Sequence, residues 1–112
     1  MPLSLFAGIR VRDLAAARPW YERLLGEPAF SPNERELVWT VAEDRSIYIE
    51  EDPERAGDGL VTVFVDDLDA AVGEIGARGL EPAERETYSN GVRKVTYRDA
   101  DGNEIGFGGG PA

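Results

Sequence analysis

The sequence predicts an α+β fold of two βαβββ modules whose sheets curve together, with the helices on the convex face. Three observations point there. Residues 6–28 align without gaps to residues 60–82 at an offset of 54, and seven of the 23 positions are identical. Both copies enter through a V-x-D-L segment (11–14 and 65–68) and leave through Glu-Pro (27–28 and 81–82). The length of 112 residues suits one hydrophobic core better than two. The expected organisation is a single domain over 1–112. Its modules, at about 4–51 and 59–108, are joined by an Asp-, Pro- and Gly-rich linker at 52–58.

Each element has a local reason. The first strand, 5–11, alternates, with Ala7, Ile9 and Val11 on one face and Phe6, Gly8 and Arg10 on the other. Its copy at 60–65 sets Val61, Val63 and Val65 against Leu60, Thr62 and Phe64. Asp13 and Asp67 stand at N-cap positions, where a carboxylate accepts free amides of the first helical turn. The helix at 14–25 gathers Leu14, Ala17, Tyr21, Leu24 and Leu25 into an apolar stripe. Pro19 inside it removes one donor and predicts a slight bend. The helix at 68–78 turns Leu68, Ala71, Val72 and Ile75 inward, and Gly26 and Gly79 are the expected C-terminal stops.

Three short strands follow each helix, at 29–31, 37–41 and 46–50, then at 81–86, 92–98 and 103–107. Asp101-Gly102 marks a tight turn before the last. Over these strands the repeat continues at an offset of 56, matching 38–41 to 94–97 and 47–50 to 103–106. Alternation puts Ser46, Tyr48 and Glu50 on the concave face, together with Glu104, Gly106 and Gly108. The glycine-rich end, 106–110, has no following helix to form a phosphate site and reads as a flexible tail.

Composition excludes several chemistries. Hydrophobic residues make up 42% and charged residues 30%, which suits a globular protein. With no cysteine and no histidine, disulfides, thiolate nucleophiles, the usual triads and the commonest transition-metal ligands are absent. Twelve basic against 22 acidic residues give a net charge of −10, which repels nucleic-acid backbones and favours cationic ligands. No apolar run approaches the roughly 20 residues of a membrane span. The N-terminus lacks a signal-peptide layout, so the expectation is a cytoplasmic protein with no membrane partner.

Three motifs fall in order along the chain. They are the V-x-D-L strand–helix entry, the helix end Trp20-Tyr21-Glu22-Arg23-Leu24-Leu25-Gly26, and the D-x-D-G-N-x-I hairpin at 99–105. With them the chain resembles the vicinal oxygen chelate superfamily of glyoxalase I, bleomycin resistance proteins and extradiol dioxygenases, and within it the bleomycin-resistance-like branch. The resemblance implies a cup of eight strands and a homodimer. It also implies that metal ligands, where the family has them, would fall on Phe6, Glu50, Leu60 and Gly106. Of these only Glu50 can ligate, and a lone carboxylate holds a divalent ion weakly. No metal and no other cofactor is therefore expected.

The candidate ligand-binding residues are Phe6, Trp39, Tyr48, Glu50, Leu60 and Tyr88. Apolar bulk at Phe6 and Leu60 makes the cavity floor greasy, as ligand pockets generally are. Trp39, Tyr48, Tyr88 and Tyr97 either stack on a planar compound or fill strands and dimer seams; for Trp39 the alternation is ambiguous. Glu50 is either a carboxylate among Phe6, Tyr48 and Leu60, able to move a proton or face a cation, or a half-exposed strand end in an acidic run. Arg10 is either an anion anchor or a surface ion-pair partner. The reading that results is a metal-independent binding protein that sequesters an aromatic, cationic antibiotic or metabolite. The alternatives are a metal-independent isomerase or lyase with Glu50 as general base and Tyr48 or Tyr97 as proton donor, and a structural or regulatory module with a closed cavity.

Overall fold

The structure, a computed structural model, describes residues 3–112. Module one runs β1 (Leu5–Val11), α1 (Leu14–Leu25), β2 (Phe30–Asn33), β3 (Glu36–Ala42) and β4 (Arg45–Glu51). Module two runs β5 (Leu60–Phe64), α2 (Leu68–Ala77), β6 (Glu84–Thr87), β7 (Arg93–Arg98) and β8 (Glu104–Gly109). Each module forms a four-stranded mixed sheet, ordered β1-β4-β3-β2 and β5-β8-β7-β6. In each the first strand pairs in parallel with the last and the other pairs are antiparallel. Among the described residues no helix is long and apolar enough to cross a membrane.

The caps form as expected: Asp13 accepts from the Ala16 amide at 3.1 Å and Asp67 from the Ala70 amide at 3.0 Å. Helix α1 continues through Pro19. Its buried residues Tyr21 and Leu24 lie in a core with Ile9, Val11, Leu37, Ile47 and Ile49 of the first sheet, which continues through Leu68 and Ile75 of α2 to Val95, Ile105 and Phe107 of the second. All belong to one continuous core. Arg78 at the end of α2 reaches across to module one, where it donates to the carbonyls of Arg23 (2.7 Å) and Leu24 (3.0 Å) at the end of α1. A cation on orphan C-terminal carbonyls satisfies them and opposes the helix dipole.

Two sequence expectations are corrected. The strand registers pair Ala7 with Ile47 and Val61 with Ile105, so the repeat over the last strands runs at an offset of 58 rather than 56. The additional residues sit in the loop after β6, where Tyr88 to Val92 replace the two-residue turn at Glu34 and Arg35. The duplicate of Gly106 is therefore Tyr48, and that of Glu50 is Gly108. The glycine-rich end is also ordered. Strand β8 pairs out to Gly109 with Arg93, and Arg93 Nε donates to the Gly110 carbonyl at 3.1 Å. A strand held between two neighbours, β5 and β7, has no freedom to act as a tail.

The modules are locked together at the Asp99–Asn103 turn. Asp99 accepts from the Tyr21 hydroxyl at 2.7 Å and from Asn103 Nδ2 at 2.8 Å. Asn103 in turn donates to the Arg10 carbonyl (2.8 Å) and accepts from the Gly59 amide (2.7 Å). Tyr21→Phe is expected to lower stability by about 1–2 kcal/mol in urea unfolding. Asn103→Ala, which removes a fully buried amide side chain and its hydrogen bonds to Arg10, Gly59 and the buried Asp99, is expected to cost about 3 kcal/mol. Burial, and then the hydrogen bond to Asp99, hold the Tyr21 phenol well above its ordinary value of 10.0. The unfolded chain releases that proton above about pH 10 while the folded chain keeps it, so this stabilisation is complete below pH 10 and declines as pH rises further. Alkaline denaturation followed by circular dichroism should show a shallower decline in Tyr21→Phe than in the wild type.

Candidate functional site

With the helices covering one face of each sheet, the opposite faces are open. On β1 and β5 the outward residues are large and apolar: Phe6 is 55% exposed, Leu60 67% and Phe64 68%. Period-2 alternation leaves no other choice, since Ile9 and Val11 are fully committed to the core. On the first sheet the register sets Phe6 beside Ser46, Gly8 beside Tyr48 and Arg10 beside Glu50. The Tyr48 ring lies flat over Gly8, where a Cβ would come within 2.6 Å of its Cζ and hydroxyl oxygen. Glycine at position 8 thus makes room for a phenol that lines the floor instead of standing up from it.

The charged end of this face is acidic. Glu36 and Glu50 are directly opposite on β3 and β4, a like-charge arrangement that destabilises a sheet when left uncompensated. Beside them is an open depression of about 480 Å³, and five of its seven lining residues are Glu34, Glu36, Glu50, Glu51 and Asp52. Arg10 Nε lies 3.5 Å from both Glu50 and Asp52, and Asn33 Nδ2 donates to Glu36 at 2.6 Å. Arg10 is therefore an ion-pair partner. Glu50 is a half-buried carboxylate with an arginine beside it rather than an isolated acid in an apolar pocket. Glu104, on the second sheet, is similarly held by Arg98 at 2.6 Å.

Phe6, Tyr48 and Glu50 thus share one face of the first sheet, and Leu60 occupies the matching face of the second. Trp39 does not join them. It shares the core face with Ile47, is 1% exposed, packs on Tyr21 with ring centroids 6.0 Å apart, and donates Nε1 to the Gly26 carbonyl at 2.8 Å. The expectation that it lines the cavity is corrected: its large apolar surface and its single donor are both satisfied at the end of α1. Tyr97 is likewise in the core, edge-on to Phe107 at 5.9 Å, and burial pushes its phenol up. Tyr88, 45% exposed, lies beyond the end of β6 in the long loop and not on the floor.

The residues present do not fit a divalent metal. Phe6, Leu60 and Gly106 carry no donor atom, and the duplicate of Gly106 is the phenol of Tyr48. Among the described residues no three His, Cys, Asp or Glu side chains come together to hold an ion. Sequence reasoning missed the tie between Tyr21, Asp99 and Asn103. Its signal was present in the D-x-D-G-N segment, but that segment read as a tight turn and a family-like hairpin, with no partner in the first module. Trp39→Phe is expected to cost about 1 kcal/mol through the lost hydrogen bond, while Tyr48→Ala leaves stability nearly unchanged; paired urea denaturation curves check this ordering.

No family model matches the chain, and no curated protein matches it. Solved structures do. A glyoxalase / bleomycin resistance protein from Catenulispora acidiphila is 54% identical, with 98% of this chain and 100% of that one covered at a TM-score of 0.93. A lactoylglutathione lyase from Agrobacterium tumefaciens is 21% identical over 98% of this chain and 96% of its own, at a TM-score of 0.73. A bleomycin-binding protein complexed with bleomycin is 16% identical over 96% and 98%, at 0.76. The last two share the fold.

Proposed function

Because the chain belongs to the glyoxalase / bleomycin resistance protein family of the vicinal oxygen chelate superfamily, we propose that it binds a small molecule without a metal. The proposed ligand is an aromatic, cationic compound, held against the open face of the first sheet. The observation that carries the reading is the meeting of an aromatic floor with an acidic end on that face. Phe6 and the flattened Tyr48 offer stacking surface, and the opposed Glu36 and Glu50 supply charge that a cation would relieve. The net charge of −10 adds long-range attraction. The bleomycin complex of a protein with the same fold supports ligand binding by this architecture. Sequestration needs no proton transfer. A general-base role for Glu50 has less support, with Arg10 beside its carboxylate and Tyr97 in the core.

The same exposed side chains support a homodimer. Phe6, Phe30, Leu60 and Phe64 are all more than half exposed in the single chain, more apolar surface than one small ligand covers, and exposed apolar side chains of this kind mark interaction surfaces. Sedimentation equilibrium at micromolar concentration is expected to give twice the chain mass of 12.2 kDa. A single-chain mass would refute the dimer.

A thermal-shift panel of cationic aromatic antibiotics, run with and without Zn²⁺, Mn²⁺ and Ni²⁺, tests the binding reading. At a hundredfold excess over Kd a ligand of the native state adds about 2.7 kcal/mol, a rise of about 10 °C for a domain of this size. The expected result is such a rise with one compound class, unaffected by metal and abolished by Tyr48→Ala. A rise with metal alone would overturn the proposal.

A further inference from the structure

We propose that the open face of the second sheet is an anion-recognition surface, in which Lys94 binds a carboxylate or sulfonate carried on an apolar body. Lys94 is the single lysine among twelve basic residues. Its cross-strand neighbour on β6 is Glu86, the natural partner for an ion pair. The side chain turns the other way. It crosses inward over β8, where a Cβ on Gly106 would lie 2.7 Å from its Cε and 3.6 Å from its Nζ. Glycine at 106 is what lets the lysine stem lie on the floor. Among the described residues the ammonium makes no ion pair, although Arg93 and Arg98 on either side do.

An ammonium held on a floor without a counter-charge is an unused charge in partly desolvated surroundings, and a ligand anion would satisfy it. The neighbouring groups suit such a ligand. The Thr62 hydroxyl oxygen approaches the same point above Gly106, at 3.5 Å, and offers a second donor. Leu60 and Phe64 flank Thr62 on β5 and are largely exposed, so they can take the apolar body. The remaining acids of this face, Glu84 opposite Thr96 and Glu104 beside Leu60, are both already engaged by Arg98. The inference rests on the reading of the open faces as ligand-binding surfaces, and it extends that reading. The first sheet favours cations and the second an organic anion, so a ligand spanning both would carry both charges.

Three probes of one shape test it: 2-naphthoate, 2-naphthalenemethanol and 2-naphthylmethylamine, titrated by fluorescence into the full chain. The wild type is expected to bind naphthoate more tightly than the alcohol, with the preference falling as salt rises. Lys94→Met keeps the stem and removes the charge, and is expected to weaken naphthoate about tenfold while leaving the alcohol unchanged. Gly106→Ala keeps every charge but displaces the lysine, and should weaken naphthoate as well; Lys94→Arg should retain much of it. Melting temperatures of the variants confirm that each is folded. Equal naphthoate affinity in wild type and Lys94→Met would overturn the role of Lys94 and leave the binding reading standing. Loss of dimer in Lys94→Met without a change in naphthoate affinity would assign the lysine to a partner's carboxylate, and would also overturn it. If none of the three probes binds the wild type, both proposals fail together.

Discussion

The Asp99 carboxylate is the junction on which the arrangement of the two modules depends. One oxygen accepts from the Asp101 and Asn103 amides at 3.0 and 2.8 Å, closing the β7–β8 turn. The other accepts from the Tyr21 hydroxyl and Asn103 Nδ2, and so joins that turn to α1 of the first module. Asn103 carries the connection on to the end of β1 and to the start of β5 through Arg10 and Gly59. A buried charge is tolerable only when hydrogen-bonded on all sides, and four donors meet that demand here. The Asn103 side chain shares in three of these contacts and the modules meet through it, so its loss weakens the network more than the loss of Tyr21 does.

That junction has a consequence for binding. It lies on the helix side of the sheets, with Tyr21, Leu24 and Ile75, and it draws the core residues of both modules into one cluster. The opposite faces carry none of the hydrogen bonds of this tie. They are free to carry residues that a core could not accept: a like-charge carboxylate pair, an ammonium without a partner, and apolar rings facing water. Stability is thus concentrated on one side of each sheet and recognition on the other, which is how period-2 alternation allows a thin sheet to serve both.

Much of the architecture was legible because local rules and the repeat agree. Asp13 and Asp67 precede apolar stripes and do cap helices, and both first strands alternate cleanly. The open face could be assigned in advance at Phe6, Tyr48, Glu50 and Leu60, since each alternates with an apolar inward position at Ala7, Ile47, Ile49 or Val61. Trp39 could not be assigned, because Leu37, Val38, Trp39 and Val41 are all apolar and alternation has nothing to discriminate. Its partner, the Gly26 carbonyl, is thirteen residues away and becomes visible only when α1 packs against β3.

The sequence by itself determined the module count, the element order and which face of each first strand is greasy. It did so because those features follow from spacing within a few residues of one chain. Only the tertiary structure decided the register of the last strands, since a longer β6–β7 loop shifts the repeat without leaving a mark in the strands themselves. It alone also decided the roles of Gly8 and Gly106, which depend on a side chain from the adjacent strand lying across them. Pairing between strands is a long-range choice, made by the shape of the packed core and not by the residues on either side of a glycine.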